Sequence, residues 1–301
     1  MVLTPVKIII SGSAGSANDD SGERLAQIFR EQQIEADMSL AATGAELTEL
    51  ARAAVRGPYK TIIAAGGDGT INSVATEVID SEKVLGVLPL GTLNHFARDL
   101  GIPFELEAAA HTIIEGHTIA VDVGAVNDHI FLNNSSLGLY PIIVREREKR
   151  QRLGLGKWPA FVWATIQALR RYPFLDVSLR VDDKWIDRTT PFVFVGNNEY
   201  VMDLFNVGLR ERLDRGVLSI YITHRLSRLR LIGLAVRAVL GRLSEDKDFL
   251  ALQASQVKIH TAHKRLRVAF DGEITVMVPP LDYGIRARAL RVIVPTDTKA
   301  E

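Results

Sequence analysis

The stretch that most constrains this chain is Ala64-Ala65-Gly66-Gly67-Asp68-Gly69-Thr70. It follows the β-branched run Thr61-Ile62-Ile63 and precedes Ile71, Val74, Val78 and Ile79 at helical spacing. It therefore reads as a strand, a glycine-rich turn and the start of a helix. Such a turn suits an anion. Gly66, Gly67 and Gly69 let backbone N–H groups come close to a phosphate, and the helix N-terminus adds partial positive charge. Asp68 is the discordant residue, because a carboxylate beside phosphates is repulsive unless a metal ion or a reacting proton accompanies it. The plain alternative is a tight turn that uses Gly-Asp-Gly for positive φ. The run of small and polar residues directly after a buried-looking strand favours the anion site.

The flanking sequence repeats this alternation. Residues 6–10 read as a buried strand, followed by the small-residue loop Ser11-Gly12-Ser13-Ala14-Gly15-Ser16. Residues 22–33 are helical, 34–40 strand-like, and 43–55 helical with Thr43 as N-cap. A strand at 84–88 and a helix at 93–100 complete the series. Such repetition predicts a largely parallel sheet with helices on its faces, and ligands at the carboxyl ends of the strands. Glycine-bearing loops fall at those ends, at Gly12 and Gly15, at Gly66, Gly67 and Gly69, and at Gly91. Beyond residue 120 strand-like runs take over, at 120–126, 129–134, 175–181, 191–196, 217–223, 256–261, 265–270, 274–278 and 290–294. Asn127-Asp128 and Asp182-Asp183 read as hairpin turns. The expected organisation is an α/β domain over 1–122, a mostly antiparallel β-sandwich domain with two helical insertions over 123–295, and a frayed tail over 296–301.

Composition narrows the chemistry. The 36 basic and 36 acidic residues cancel, so no global field recruits nucleic acid or a charged membrane. With no cysteine, a disulfide scaffold and thiolate metal sites are excluded. No uncharged apolar run reaches membrane-span length, and the apolar run near Met1 is too short for a signal peptide. A cytoplasmic protein is expected, with any membrane contact peripheral. There is no Gly-x-x-x-x-Gly-Lys-Ser/Thr loop and no Gly-x-Gly-x-x-Gly, and His260 and His263 lack a carboxylate between them for a metal site.

A second chemical loop reads Pro89-Leu90-Gly91-Thr92-Leu93-Asn94-His95-Phe96-Ala97-Arg98. Gly91 turns the chain out of a strand, Thr92 is placed to cap the helix, and Asn94 and Arg98 follow within two turns. Alone, this is equally a capped amphipathic helix. Together, Gly-Gly-Asp-Gly-Thr and Gly-Thr-x-Asn-x-x-Ala-Arg about twenty residues later resemble the diacylglycerol kinase catalytic-domain family, which includes bacterial lipid kinases and the sphingosine kinases. Phe131-Leu132-Asn133-Asn134-Ser135-Ser136-Leu137-Gly138 is similar to that family's Phe-x-Asn…Gly strand, and Phe270-Asp271-Gly272-Glu273 matches its late Asp-Gly-Glu motif. Motifs in the same order cover residues 6–275.

The resemblance implies an ATP-dependent, magnesium-using lipid kinase of phospholipid metabolism, which phosphorylates the hydroxyl of a membrane lipid such as diacylglycerol. It implies a Rossmann-like nucleotide domain and a C-terminal β-sandwich lipid domain flanking a cleft. By position, Gly66, Gly67, Gly69 and Thr70 would cradle the ATP phosphates. Ser11, Gly12, Gly15, Gly91, Thr92, Asn94 and Glu273 would contribute to the nucleotide site. Asp271 would be the general base, with Asp68 placing magnesium or sharing the base role. Phosphoryl transfer needs mainly positioning and charge neutralisation, so magnesium and an aimed carboxylate suffice. On its residues alone, Asp271-Gly272-Glu273 also reads as a plain β-turn.

The chain departs from the family at three places. Ser11-Gly12 stands where the family begins Asn-Pro, and Asn72-Ser73 where it has Asn-Glu, with Glu77 one turn along as a partial substitute. Arg215 stands where an acidic residue helps hold a structural magnesium, leaving Asp214 and Glu211 as replacement ligands.

Two stretches bear on membranes. Residues 224–243 hold five arginines and no acid among apolar residues at helical spacing, and the basic run at 145–152 leads into Trp158 and Trp163. Segments 145–172 and 224–243 are thus candidate lipid contacts, or equally helices packed on their own domain. Nucleic acid is not expected as a partner, and the resemblance admits a homodimer. The rival readings are an NAD kinase-like enzyme, with Asn198-Glu199 imitating its later motif, and a non-catalytic lipid-binding relative, motivated by Ser73 and Arg215.

Overall fold

The computed structural model describes residues 3–12, 19–139, 141, 174–181, 184–200, 210–223 and 249–296. Gly15, the Asp182-Asp183 turn, the segments 145–172 and 224–243, and the tail beyond 296 lie outside the described residues. The chain divides into two compact units, residues 1–123 with 287–301, and residues 124–286.

The first unit alternates β1 (Val6–Ser11), α1 (Asp19–Glu31), β2 (Ala36–Ala41), α2 (Gly44–Arg56), β3 (Thr61–Gly66), α3 (Asp68–Val78), β4 (Val84–Pro89), α4 (His95–Asp99) and α5 (Leu106–Glu115). The strands pair in parallel in the order β2-β1-β3-β4. Every residue of β1, β3 and β4 is buried, as strands covered on both faces require. Helix α2 starts as its sequence dictates. The Thr43 hydroxyl accepts the Glu46 N–H at 3.2 Å, the Glu46 carboxylate accepts the Ala42 N–H at 2.8 Å, and Leu47, Ala51 and Ala54 face the core.

Two expectations here are corrected, and one helix is new. Helix α1 begins at Asp19 rather than residue 22. Helix α4 starts at His95 behind an N-cap of Asn94, not Thr92, because Asn94 takes the left-handed conformation at φ 49° and turns the chain there. The alanine-rich α5 was not anticipated. It is capped by Glu105, whose carboxylate accepts the Glu107 and Ala108 N–H groups at 3.3 and 2.9 Å.

The second unit is built from β5 (His117–Val126, which enters from the first unit), β6 (His129–Phe131), β7 (Asn134–Gly138), β8 (Leu175–Val181), β9 (Lys184–Thr190), β10 (Phe192–Asn197), β11 (Leu218–Thr223), β12 (Phe249–Ala254), β13 (Gln256–Thr261), β14 (Leu266–Phe270), β15 (Glu273–Met277) and the first part of β16 (Leu281–Val294). One antiparallel sheet runs β12-β11-β10-β7-β14-β15; the other runs β16-β13-β8-β9. Their inner faces share a core that includes Leu137, Val193, Val195, Ile220 and Val268 from one sheet and Val177, Leu179, Val257 and Ile259 from the other. Strand β8 shows the rule: its alternate residues Leu175, Val177, Leu179 and Val181 are buried, and the rest are more open.

The strand expected over 129–134 is broken by a turn at Leu132 and Asn133, and β9 and β12 were not anticipated. Strand β16 is 14 residues long where five were expected. Its last part belongs with the first unit, where Val292 pairs in parallel with Leu85 on β4. That corrects the expected second domain of 123–295. Among the described residues, no helix is long and apolar enough to cross a membrane.

Candidate active site

In the first sheet the strand order reverses between β1 and β3, the place where open α/β sheets bind ligands outside their carboxyl ends. Strand β3 ends on Gly66, and α3 begins two residues later behind Gly67, which is extended and offers no side-chain cap. An eleven-residue helix thus presents its N-terminal N–H groups uncapped by any side chain. The residues fit a phosphate.

The β4–α4 loop is laid against this turn. The Leu90 N–H donates to the Gly66 carbonyl at 2.9 Å. A Cβ on Gly91 would come within 2.5 Å of Gly67 Cα and 2.6 Å of Asn94 Oδ1, and one on Gly66 within 2.4 Å of Thr70 Oγ1. Both glycines are therefore required by close approach. Asn94 is buried, and its amide is spent within its own loop: Oδ1 accepts the Gly91 N–H at 3.1 Å, while Nδ2 donates to the carbonyls of Pro89 at 3.3 Å and Gly91 at 2.9 Å. Asn94 shapes the loop, and Thr92 beside it is exposed. Ser11 is buried at the end of β1, and the Gly12 N–H donates to the Ala41 carbonyl at 2.9 Å.

Asp68 is half-buried at the first position of α3, and its Oδ1 accepts a long bond of 3.4 Å from the Phe96 N–H. That weak tie suits a carboxylate used for a cation at the phosphates. Glu77 is held otherwise: the Arg52 guanidinium grips it through Nε–Oε2 at 3.2 Å and Nη2–Oε1 at 3.0 Å. Ser73 turns its hydroxyl back to the Gly69 carbonyl at 2.9 Å.

In the second unit the motif at 131–138 and the motif at 270–273 come together. Strand β7 pairs with β14, placing Phe270 opposite Ser135. Asp271 follows at φ 46°, and its carboxylate collects the N–H groups of the β6–β7 turn: Leu132 at 2.6 Å, Asn133 at 2.8 Å and Asn134 at 3.1 Å. Its own N–H donates to the Asn134 carbonyl at 3.0 Å. Burial pushes the Asp271 carboxyl up to about 6, opposed by the three N–H donors and by the positive charge of Arg210. Glu273 is exposed at the start of β15.

The far side of the same turn is also occupied. Arg210, 3% exposed, donates through Nη1 to the Leu132 carbonyl at 2.6 Å and the Asn197 carbonyl at 3.0 Å, and through Nη2 to Asn133 Oδ1 at 2.8 Å. The Tyr200 hydroxyl donates to the Asn133 carbonyl at 2.9 Å, and Asn197 Nδ2 to the Leu132 carbonyl at 2.8 Å. Sequence reasoning missed these three residues. The polar run Asn197-Asn198-Glu199-Tyr200 at a strand end was the available signal for two of them, and nothing marked Arg210.

Nearby, Asp214 is gripped by Arg212 through two contacts of 3.0 Å, and Arg215 pairs with Glu199 at 2.8 Å. Among the described residues, no group of three or more His, Asp or Glu is arranged to hold a metal ion. A magnesium ion at Asp68 would rest on that carboxylate and on phosphate oxygens, a common arrangement for this ion.

Comparison with known proteins agrees with this architecture. The diacylglycerol kinase catalytic domain matches residues 5–126, and the YegS C-terminal NAD kinase beta sandwich-like domain matches residues 140–294. A diacylglycerol kinase of Bacillus subtilis (strain 168) is 28% identical over 285 residues, covering 93% of each chain. One from Staphylococcus carnosus (strain TM300) is 25% identical, covering 82% of this chain and 80% of its own. A crystal structure from Bacillus anthracis str. Sterne is 23% identical, covers 96% of both chains and superposes with a TM-score of 0.77, which speaks for the fold. With both halves matched in order, the chain belongs to the diacylglycerol kinase catalytic-domain family and is a lipid kinase.

Proposed function

We propose that the protein transfers the γ-phosphoryl group of ATP to the hydroxyl of a membrane lipid such as diacylglycerol, with magnesium, at a membrane surface it contacts peripherally. The observation that carries this reading is the pair of abutting loops at the carboxyl ends of β3 and β4, with the uncapped N-terminus of α3 and Asp68 beside it. Gly67 and Gly69 offer backbone to the phosphates, while Asn94 fixes the neighbouring loop from within.

Asp271 is the proposed base. A carboxylate has about four lone-pair positions, and three are taken by the β6–β7 turn, leaving one to accept a proton. With its carboxyl at about 6, the group is ionised at neutral pH and more basic than an ordinary aspartate. As the lipid oxygen bonds to the γ-phosphorus and the bond to ADP breaks, the hydroxyl proton passes to Asp271. Magnesium would supply neutralisation of the phosphate charge, with Asp68 as its protein ligand.

The test is an assay of the full chain with labelled ATP, vesicles of mixed lipid extract and, separately, NAD, with products identified by mass spectrometry. Label in a phospholipid is expected, and chelation of magnesium should abolish it. Label appearing in NADP alone would overturn the proposal in favour of an NAD kinase-like activity.

A further inference from the structure

The turn at residues 132–134 is held from opposite sides by groups of opposite charge, and the two grips share peptide units. The peptide joining Leu132 to Asn133 accepts from Arg210 at its carbonyl, at 2.6 Å, and donates to Asp271 Oδ1 at its N–H, at 2.8 Å. The next peptide accepts from the Tyr200 hydroxyl at 2.9 Å and donates to the same Oδ1 at 3.1 Å. A peptide that accepts a charged hydrogen bond at its oxygen becomes a stronger donor at its nitrogen, so bonds in such a chain reinforce one another. The guanidinium is almost wholly buried, where water screens it little. It lies 5.5 Å over the Tyr200 ring, and its second arm, on Asn133 Oδ1, fixes its plane.

We propose that Arg210 is a positioning residue for Asp271, acting through the Leu132–Asn133 peptide to aim the carboxylate and hold it in its charged form. The idea rests on Asp271 being the base, as proposed above. Around Asp271, the turn contributes peptide N–H groups, and among the described residues Arg210 is the charged side chain that acts on it. Tyr200 and Asn197 complete the support without adding charge. Lysine would keep the charge but lose the two-armed grip on Leu132 and Asn133.

The experiment compares Arg210→Met, Arg210→Lys, Asp271→Asn and the Arg210→Met/Asp271→Asn double variant in the full chain, each checked for folding by circular dichroism. For Arg210→Met, kcat should fall about 10- to 10²-fold, the scale of a misplaced catalytic group, with KM for ATP within about twofold of wild type. The acid limb of its kcat/KM profile should move to higher pH, and carbon-13 NMR should show the Asp271 carboxyl titrating higher as well. Arg210→Lys should fall between, and serves alone if Arg210→Met does not fold. The double variant should be no slower than Asp271→Asn. A folded Arg210 variant with unchanged kcat and unmoved Asp271 titration overturns this inference while leaving the base intact. Full activity in Asp271→Asn overturns the base and this inference with it, and the NMR titration then reports the Arg210 coupling separately from catalysis.

Discussion

Asp271 illustrates how one residue can answer to two demands. It caps a turn with three hydrogen bonds, and as the proposed base it must also have room for a proton. Burial lifts its carboxyl to about 6, which sets a direction for pH. In the window between the ordinary carboxylate range and about 6, the native protein holds a proton that the unfolded chain has released. Stability therefore falls as pH rises through that window, the reverse of a salt-bridged aspartate. Activity runs the opposite way: kcat/KM should drop as pH falls through about 6, and Asp271→Asn should lose at least about 10²-fold. A pH series of initial rates on wild type, alongside a single-pH assay of the variant, checks both. The residue itself was legible, as part of Asp271-Gly272-Glu273. Its inward partners were not, because Leu132, Asn133 and Arg210 are far away in the chain and Leu132 contributes only its backbone.

At the scale of elements, the first unit was readable where local chemistry decides. Thr43 caps α2 and the buried runs became β1, β3 and β4, because a cap or a wholly apolar strand needs no distant partner to declare itself. Strand β16 was hidden because its middle, through Arg286 and Arg288, is exposed and breaks the apolar pattern. The helix after β4 was mistaken at its start because Asn94 spends its side chain on the loop behind it rather than on the helix ahead. That reading predicts the response to substitution. Asn94→Ala leaves the Gly91 N–H without its acceptor, costing about 1–3 kcal/mol. It also places alanine at φ 49°, costing about 1–2 kcal/mol more. Asn94→Gly removes the second cost and keeps the first. Urea unfolding of the two variants should rank glycine above alanine, and both should show a raised KM for ATP because the loop against Gly66 and Gly67 is loosened.

For the whole molecule, neutrality leaves membrane attraction to local charge, and the candidate segments for that contact, 145–172 and 224–243, carry it in sequence alone. The division into units has a firmer consequence. The first unit is not a continuous piece of chain: residues 287–301 return to it, and Val292 flanks Leu85 on β4. A fragment ending at residue 123 leaves β4, buried at every residue, as a bare apolar edge. It should aggregate when expressed, whereas residues 1–123 joined by a short linker to 287–301 should stay soluble, as sedimentation of the two lysates would reveal. The same arrangement orders events on the ribosome. The strand that closes the first unit's sheet is translated after the sandwich, so the nascent chain carries its glycine loops for most of its synthesis beside a sheet still missing a strand. A kinase laid out in this way has the half proposed to hold its nucleotide completed last, once the half proposed to carry its base has already been made.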